Sequence, residues 1–264
     1  MRAASGTVPA ESGRLYYERA GRGPAVILIH PGLWDSRLWD GQFASLAKQH
    51  DVIRFDLRGS GRSEPASAQY SDVQDLLEVM VFLDVERATL VGLSTGAAVA
   101  VDFALAYPEM VAGLVPVSPV LSGYEWTDLG MDMLRGEMAS AVEAGRPERA
   151  VEVAIAVWAP LETDPIVDER IREIALENAS WFLRADLAKP APSAEDRLHE
   201  IQAPTMVIVG EQDIAEIHTI ANLIVERVRG AQKRVIAGAD HLVNVRASDK
   251  FNRTVLDFLA LIEL

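Results

Sequence analysis

The sequence predicts a doubly wound, mostly parallel α/β sheet interrupted by a helical insertion, and three observations predict it. Short all-apolar runs recur, such as Ala25–His30 (A-V-I-L-I-H) and Ala88–Gly92; strands apolar at successive positions are buried on both faces, as in a parallel sheet. Segments with helical spacing separate these runs, which is the rhythm of βαβ units. That rhythm breaks from Leu121 to Lys189, where helical spacing continues without a convincing strand, and resumes at Thr205–Val209.

In order, residues 14–19 (R-L-Y-Y-E-R) form a strand, and Gly21–Pro24 a turn into the buried strand 25–30. A helix over Trp39–Lys48 leads to a strand at Asp51–Phe55 and the polar loop Asp56–Ser63. Asp72–Leu83 is helical, with Ser71 as N-cap. Strand 88–92, helix Ala97–Ala106 and strand Gly113–Val117 follow. The insertion holds helices at Met131–Ala144, Glu148–Trp158 and Pro165–Leu187, then a linker at Lys189–Ser193. Strands at 205–209 and Lys233–Ala237 and a last helix over Lys250–Ile262 complete the core. The predicted domains are a core of residues 1–120 and 196–264 and an insertion of 121–195.

The chain has 264 residues, 49% apolar and 24% charged, enough for one large α/β domain. A net charge of −14 argues against nucleic acid and against an anionic membrane surface, since both need clustered positive charge. There are no cysteines, which excludes disulfides, thiolate metal sites and a cysteine nucleophile. Residues 88–107 approach the length of a spanning helix, but two glycines, Ser94, Thr95 and Asp102 sit mid-run, so a turn explains them better. Met1–Ala20 has no apolar stretch suited to a signal peptide. The expectation is a cytoplasmic protein acting on a small molecule, without metal or cofactor; homo-oligomerisation is left open.

Gly92-Leu93-Ser94-Thr95-Gly96 matches G-x-S-x-G. Alone the pattern is weak, and a serine capping an inert helix would satisfy it. Here a strand runs into it and a small-residue helix runs out, the sharp turn that lifts a serine hydroxyl above a sheet. The hydroxyl is a poor nucleophile without a base, and the base needs an orienting acid. Of five histidines, His30 closes a strand, His50 sits at a helix end, His199 lies beside a charged stretch, and His218 falls on the solvated side of a helix-like run after Asp213. His241 lies in a loop after the last strand, where open α/β sheets build their sites. Asp213, just past the preceding strand, is the candidate acid; Glu211 competes, and Asp240 adjoins the base too closely to orient it. The order Ser94, Asp213, His241 is the order this architecture requires. For the oxyanion, the Thr95 N–H is one donor. Pro31 has no N–H, so Gly32 is the second, with Leu33 behind it.

With these residues the sequence resembles the α/β-hydrolase superfamily over nearly its whole length. The superfamily's H-G-x motif appears as His30-Pro31-Gly32, with Trp39 at its downstream tryptophan. The D-x-R-G-x-G-x-S loop is intact at Asp56, Arg58, Gly59, Gly61 and Ser63, and the G-x-x-D acid motif runs from Gly210 to Asp213. Proline for the first glycine, Pro31, is the departure. Within the superfamily the chain most resembles small capped esterases and enol-lactonases. The resemblance implies an α/β-hydrolase fold with residues 121–195 as a helical lid. Related haloalkane dehalogenases and epoxide hydrolases carry aspartate where this chain has Ser94, so those reactions are disfavoured.

Apolar bulk in the insertion makes Trp126, Met131, Trp158 and Trp181 candidate pocket residues, with Leu33 and Trp34 near the oxyanion loop. Residues 121–200 carry 8 basic and 17 acidic side chains, which favours a neutral substrate. The expected activity is hydrolysis of a small carboxylic ester or lactone through Ser94, His241 and Asp213. Carbon–carbon hydrolysis, cofactor-free perhydrolysis and slow-turnover ligand binding are the alternatives.

Overall fold

The computed structural model describes residues 3–11, 13–127, 129–183 and 187–262. Its strands are β1 (Ala4–Ala10), β2 (Gly13–Gly21), β3 (Ala25–Ile29), β4 (Asp51–Phe55), β5 (Ala88–Leu93), β6 (Val111–Val117), β7 (Met206–Gly210) and β8 (Gln232–Ile236). They form one sheet in the order β1-β2-β4-β3-β5-β6-β7-β8. Only β2 runs antiparallel to its neighbours; from β4 through β8 every pairing is parallel.

Successive residues of a strand point to opposite faces, and both faces here are apolar. Ile27 and Ile29 enter one core with Leu76, Val79, Phe103 and Ile220, while Val26 and Leu28 enter the other with Trp39, Phe43, Phe251 and Val255. The first core is thus covered by α2 (Asp72–Phe82), α3 (Thr95–Ala106) and α7 (Ala215–Arg227). The second is covered by α1 (Asp40–Leu46), α8 (Val243–Arg246) and α9 (Ser248–Ile262). Each fully buried Val, Leu, Ile or Phe contributes about 1.5–3 kcal/mol against chain entropy, so the uninterrupted apolar runs read from the sequence are what hold the sheet.

The chain leaves β3 for β4 on one side, then returns to β5 on the other. This reversal opens a crevice beyond the carboxyl ends of β3 and β5, where open α/β sheets take ligands. Between β6 and β7 come α4 (Leu129–Glu143), α5 (Pro147–Trp158) and α6 (Pro165–Glu177).

Some boundaries differ from expectation. The helix expected over Trp39–Lys48 begins as a 3-10 turn at Ser36–Trp39, capped by Asp35, whose carboxylate accepts from the Arg37 N–H. The helix expected over Pro165–Leu187 stops at Glu177, where the Asn178 side chain donates to Asp35 at 2.8 Å and accepts from the Gly61 N–H at 2.7 Å. A 3-10 turn, Ala179–Leu183, follows, and residues 184–186 of that expectation lie outside the described residues. Strand β1 is absent from the sequence reading. Only Val8 in it is buried, and Gly6 and Pro9 mask its pattern; Pro9 is tolerated because β1 is an edge. Ser71 caps α2, accepting from the Gln74 N–H.

Candidate active site

Ser94 joins β5 to α3 with φ +54° and ψ −114°. Such a conformation costs on the order of 1–3 kcal/mol for a non-glycine residue and persists only where the surroundings over-determine it. They do. The Ser94 N–H donates to the Val117 carbonyl at 2.9 Å, and the Ser94 carbonyl accepts from Ala97 and Ala98. A β-carbon on Gly92 would lie 2.0 Å from the Gly96 carbonyl oxygen, and one on Gly96 2.2 Å from that of Ile29. Both glycines of the motif are therefore demanded by backbone contact, and Ser94 stands half-buried at the N-terminus of α3, where N–H groups favour an anion.

Asp213 follows β7 and His241 follows β8, so adjacent parallel strands deliver both to the same edge of the sheet. The His241 Nδ1 lies 3.0 and 3.1 Å from the two Asp213 carboxylate oxygens, and the side chains are 2% and 1% exposed. Burial pushes the Asp213 carboxyl up, but the adjoining His241 imidazole and the Ile214 N–H outweigh it and hold the carboxyl below the ordinary range. An ionised Asp213 fixes the proton on Nδ1 and leaves Nε2 as an acceptor. The rival carboxylates are engaged elsewhere. Glu211 accepts from the Gly238 N–H at the surface, and Asp240 is buried in a separate network.

The four other histidines stand apart from this pair. His30 is fully buried; its Nε2 accepts from the Leu57 N–H at 2.8 Å, so Nδ1 donates to the Pro31 carbonyl at 2.7 Å. It thereby ties the loop after β3 to the loop after β4. His50 is buried, His199 exposed, and His218 half-buried on α7.

Gly32 sits beside Ser94's neighbour: a β-carbon built on it would lie 3.0 Å from Thr95 Oγ1 and 2.6 Å from the Trp181 ring. Leu33 takes φ +70°, turning the chain sharply around this point. Gly32, Ser94, Thr95 and His241 open on one cavity of about 730 Å³. Leu33, Trp34, Trp126, Met131, Trp158 and Trp181 line it too. Trp34 is also fastened, since its Nε1–H donates to the Ile171 carbonyl of α6 at 3.0 Å.

Sequence reasoning missed Arg135, Val142 and Glu143 of α4, which also face the cavity. Met131, Arg135, Met138 and Val142 recur at the three- and four-residue steps of one helical stripe, a signal present in the sequence. The Arg135 guanidinium lies over the Trp126 ring, 4.7 Å from its centroid. No His/Asp/Glu cluster suited to a metal ion occurs among the described residues. None of their helices is long and apolar enough to cross a membrane.

The insertion is joined to the crevice by a buried polar web. Asp35 accepts from Arg37 at 2.6 Å and from the Asn178 amide at 2.8 Å, while Asn178 Oδ1 accepts from the Gly61 N–H at 2.7 Å. Burial pushes the Asp35 carboxyl up, but these donors outweigh it and hold it down at about 2.

The alpha/beta hydrolase family model matches residues 26–254, and the chain belongs to that family. It is 28% identical to a putative non-heme chloroperoxidase of Synechocystis sp., over 93% of this chain and 94% of that one. It is equally 28% identical to a 2-hydroxy-6-oxononadienedioate/2-hydroxy-6-oxononatrienedioate hydrolase of Paraburkholderia xenovorans, over 94% and 91%. Among solved structures, the enol-lactonase of Burkholderia xenovorans superposes with a TM-score of 0.83 at 23% identity, over 97% of this chain and all of that one. At that identity the likeness shows the fold alone.

Proposed function

We propose that this chain hydrolyses a small, neutral carboxylic ester or lactone through an acyl-enzyme formed on Ser94. The observation that carries the reading is the buried His241–Asp213 pair, at 3.0 Å, opening with the strained Ser94 on one largely apolar cavity. Ser94 Oγ attacks the carbonyl carbon while His241 Nε2 takes its proton. The oxyanion accepts from the N–H groups of Thr95 and Gly32. Collapse expels the alkoxide, which receives the proton from His241, and water then repeats the sequence on the acyl-enzyme. Residues 121–195 act as the lid that shapes the acyl pocket, through Trp126, Met131, Trp158 and Trp181, with Leu33 and Trp34 contributed by the core loop after β3.

The test is Ser94→Ala assayed on p-nitrophenyl acetate. Turnover drops by about 10⁶-fold if the serine is the nucleophile, by analogy with serine triads; turnover at the wild-type rate refutes the reading. The cyanobacterial relative's name favours one second reading, in which hydrogen peroxide replaces water as acceptor and yields a peracid. Product analysis with and without peroxide separates the two.

A further inference from the structure

Asp240 and Arg246 lie outside the proposed triad, yet they form a buried, multiply bonded ion pair beside His241. Their side chains are each 1% exposed, with Arg246 Nε donating to Asp240 Oδ2 at 3.2 Å. From this pair a fan of bonds crosses to the insertion. The Leu161 N–H donates to Asp240 Oδ2 at 3.2 Å. Arg246 Nη2 donates to the Ala159 carbonyl at 3.3 Å, and Nη1 donates to Thr163 Oγ1 at 3.0 Å and to the Asp168 carboxylate. On the core side, Asp240 Oδ1 accepts from the Leu242 N–H at 3.1 Å.

The sequence positions of these contacts close a ring. Asp240 immediately precedes His241, and Ala159 immediately follows Trp158. The two rings themselves meet, with centroids 4.5 Å apart. The clamp thus grips the chain one residue from each partner of the only ring contact that His241 makes among the described residues. Stability alone is a poor account of it. A buried ion pair returns little more than its desolvation cost, and apolar residues of similar volume often hold such a junction at least as well. Its fork of donors does what an apolar plug cannot, which is to fix direction.

We propose that Asp240 and Arg246 are positioning residues, whose ion pair seats Trp158 on the His241 ring and so holds the imidazole toward Ser94. The kinetic consequence rests on the esterase reading; the seating itself is measurable without turnover.

The experiment uses the full chain in three forms: wild type, Arg246→Lys, and the double variant Asp240→Asn/Arg246→Met, which leaves no charge of the pair uncompensated. Each is also made with Trp158→Leu, and the difference within each set isolates the Trp158 emission. Acrylamide quenching of that emission is expected to rise at least twofold in the double variant and less in Arg246→Lys, with unchanged far-UV circular dichroism. On p-nitrophenyl butyrate, kcat is expected to fall severalfold with KM within twofold. Adding Trp158→Leu should bring little further loss, because coupled residues are not additive. Unchanged Trp158 quenching in a folded variant, or kinetic losses that add in full, overturns the proposal. Should the double variant fail to fold, Arg246→Lys decides on the same two readouts. Should the wild type show no ester turnover, the esterase reading falls and quenching alone decides this one.

Discussion

The Trp158 indole lies against the His241 imidazole, centroids 4.5 Å apart and planes inclined at 44°. Trp158 belongs to the insertion and His241 to the core, so the inserted helices reach the ionisable heart of the site instead of merely roofing it. Trp126 extends the contact outward, 6.4 Å from Trp158 in an edge-on arrangement. Aromatic pairs of this kind are worth about 0.5–1.5 kcal/mol beyond their buried area. Trp158→Leu keeps apolar bulk but loses the flat face, and is expected to lower kcat by about tenfold at the upper end of that range. Steady-state kinetics on p-nitrophenyl butyrate check it, with KM changing less than kcat.

Asp213→Asn tests the other side of the same imidazole. An asparagine amide turned toward Nδ1 donates to it and drives the ring proton to Nε2, the nitrogen that the proposed mechanism requires as acceptor from Ser94. In a serine triad this substitution preserves geometry and costs about 10⁴-fold in kcat. The same loss is expected here, with circular dichroism unchanged. A variant retaining a tenth of wild-type turnover would remove Asp213 from the mechanism.

Backbone contact makes the elbow glycines the least replaceable residues of the site. Gly96→Ala would force a β-carbon to 2.2 Å from the Ile29 carbonyl oxygen, and no flexible side chain can yield there. The expected result is a chain destabilised by several kcal/mol, as large backbone clashes give, seen as a melting temperature lowered by about 10 °C or more. Gly32→Ala meets Trp181 instead, 2.6 Å away. A side chain can move, so that variant should fold, and its cost should fall on turnover.

Much of this was legible because the informative residues obey local rules. Runs such as A-V-I-L-I report two-sided burial directly, and Gly-Leu-Ser-Thr-Gly reports a turn that only glycine permits. Asp213 and His241 were legible from topology, since both follow strands that end on one edge. The early end of α6 was not. It depends on Asn178 finding Asp35 and Gly61, which are 143 and 117 residues away. No local pattern contains such a partner. The same holds for Arg246, a charged residue with no motif around it in the sequence; only folding shows it buried against Asp240 and the insertion. Strand β1 was lost for the opposite reason, because an edge strand burying one side chain has almost no pattern to read.

Asp102 offers a prediction about pH. It lies on α3 and accepts from the Ser122 hydroxyl at 2.5 Å, at the start of the insertion. Burial pushes its carboxyl up to about 6, against the opposing pull of that hydroxyl and of the Arg197 charge. A carboxyl that binds its proton more tightly when folded contributes its full stabilisation below the unfolded pKa, where both states are protonated, and loses it as pH rises through the folded pKa. Between about pH 4 and pH 6 the folded state holds the extra proton, so stability falls as pH rises through this window and stays lower above it. Asp102→Asn mimics the protonated form at every pH. It should leave the melting temperature near pH 4 almost unchanged and raise it at pH 7.5 by about 2–4 °C, as roughly 1 kcal/mol does in a chain of this size. Thermal melts of both chains at the two pH values decide it: an Asp102→Asn variant less stable than wild type at pH 7.5 would mean that the charged carboxylate is well satisfied where it lies.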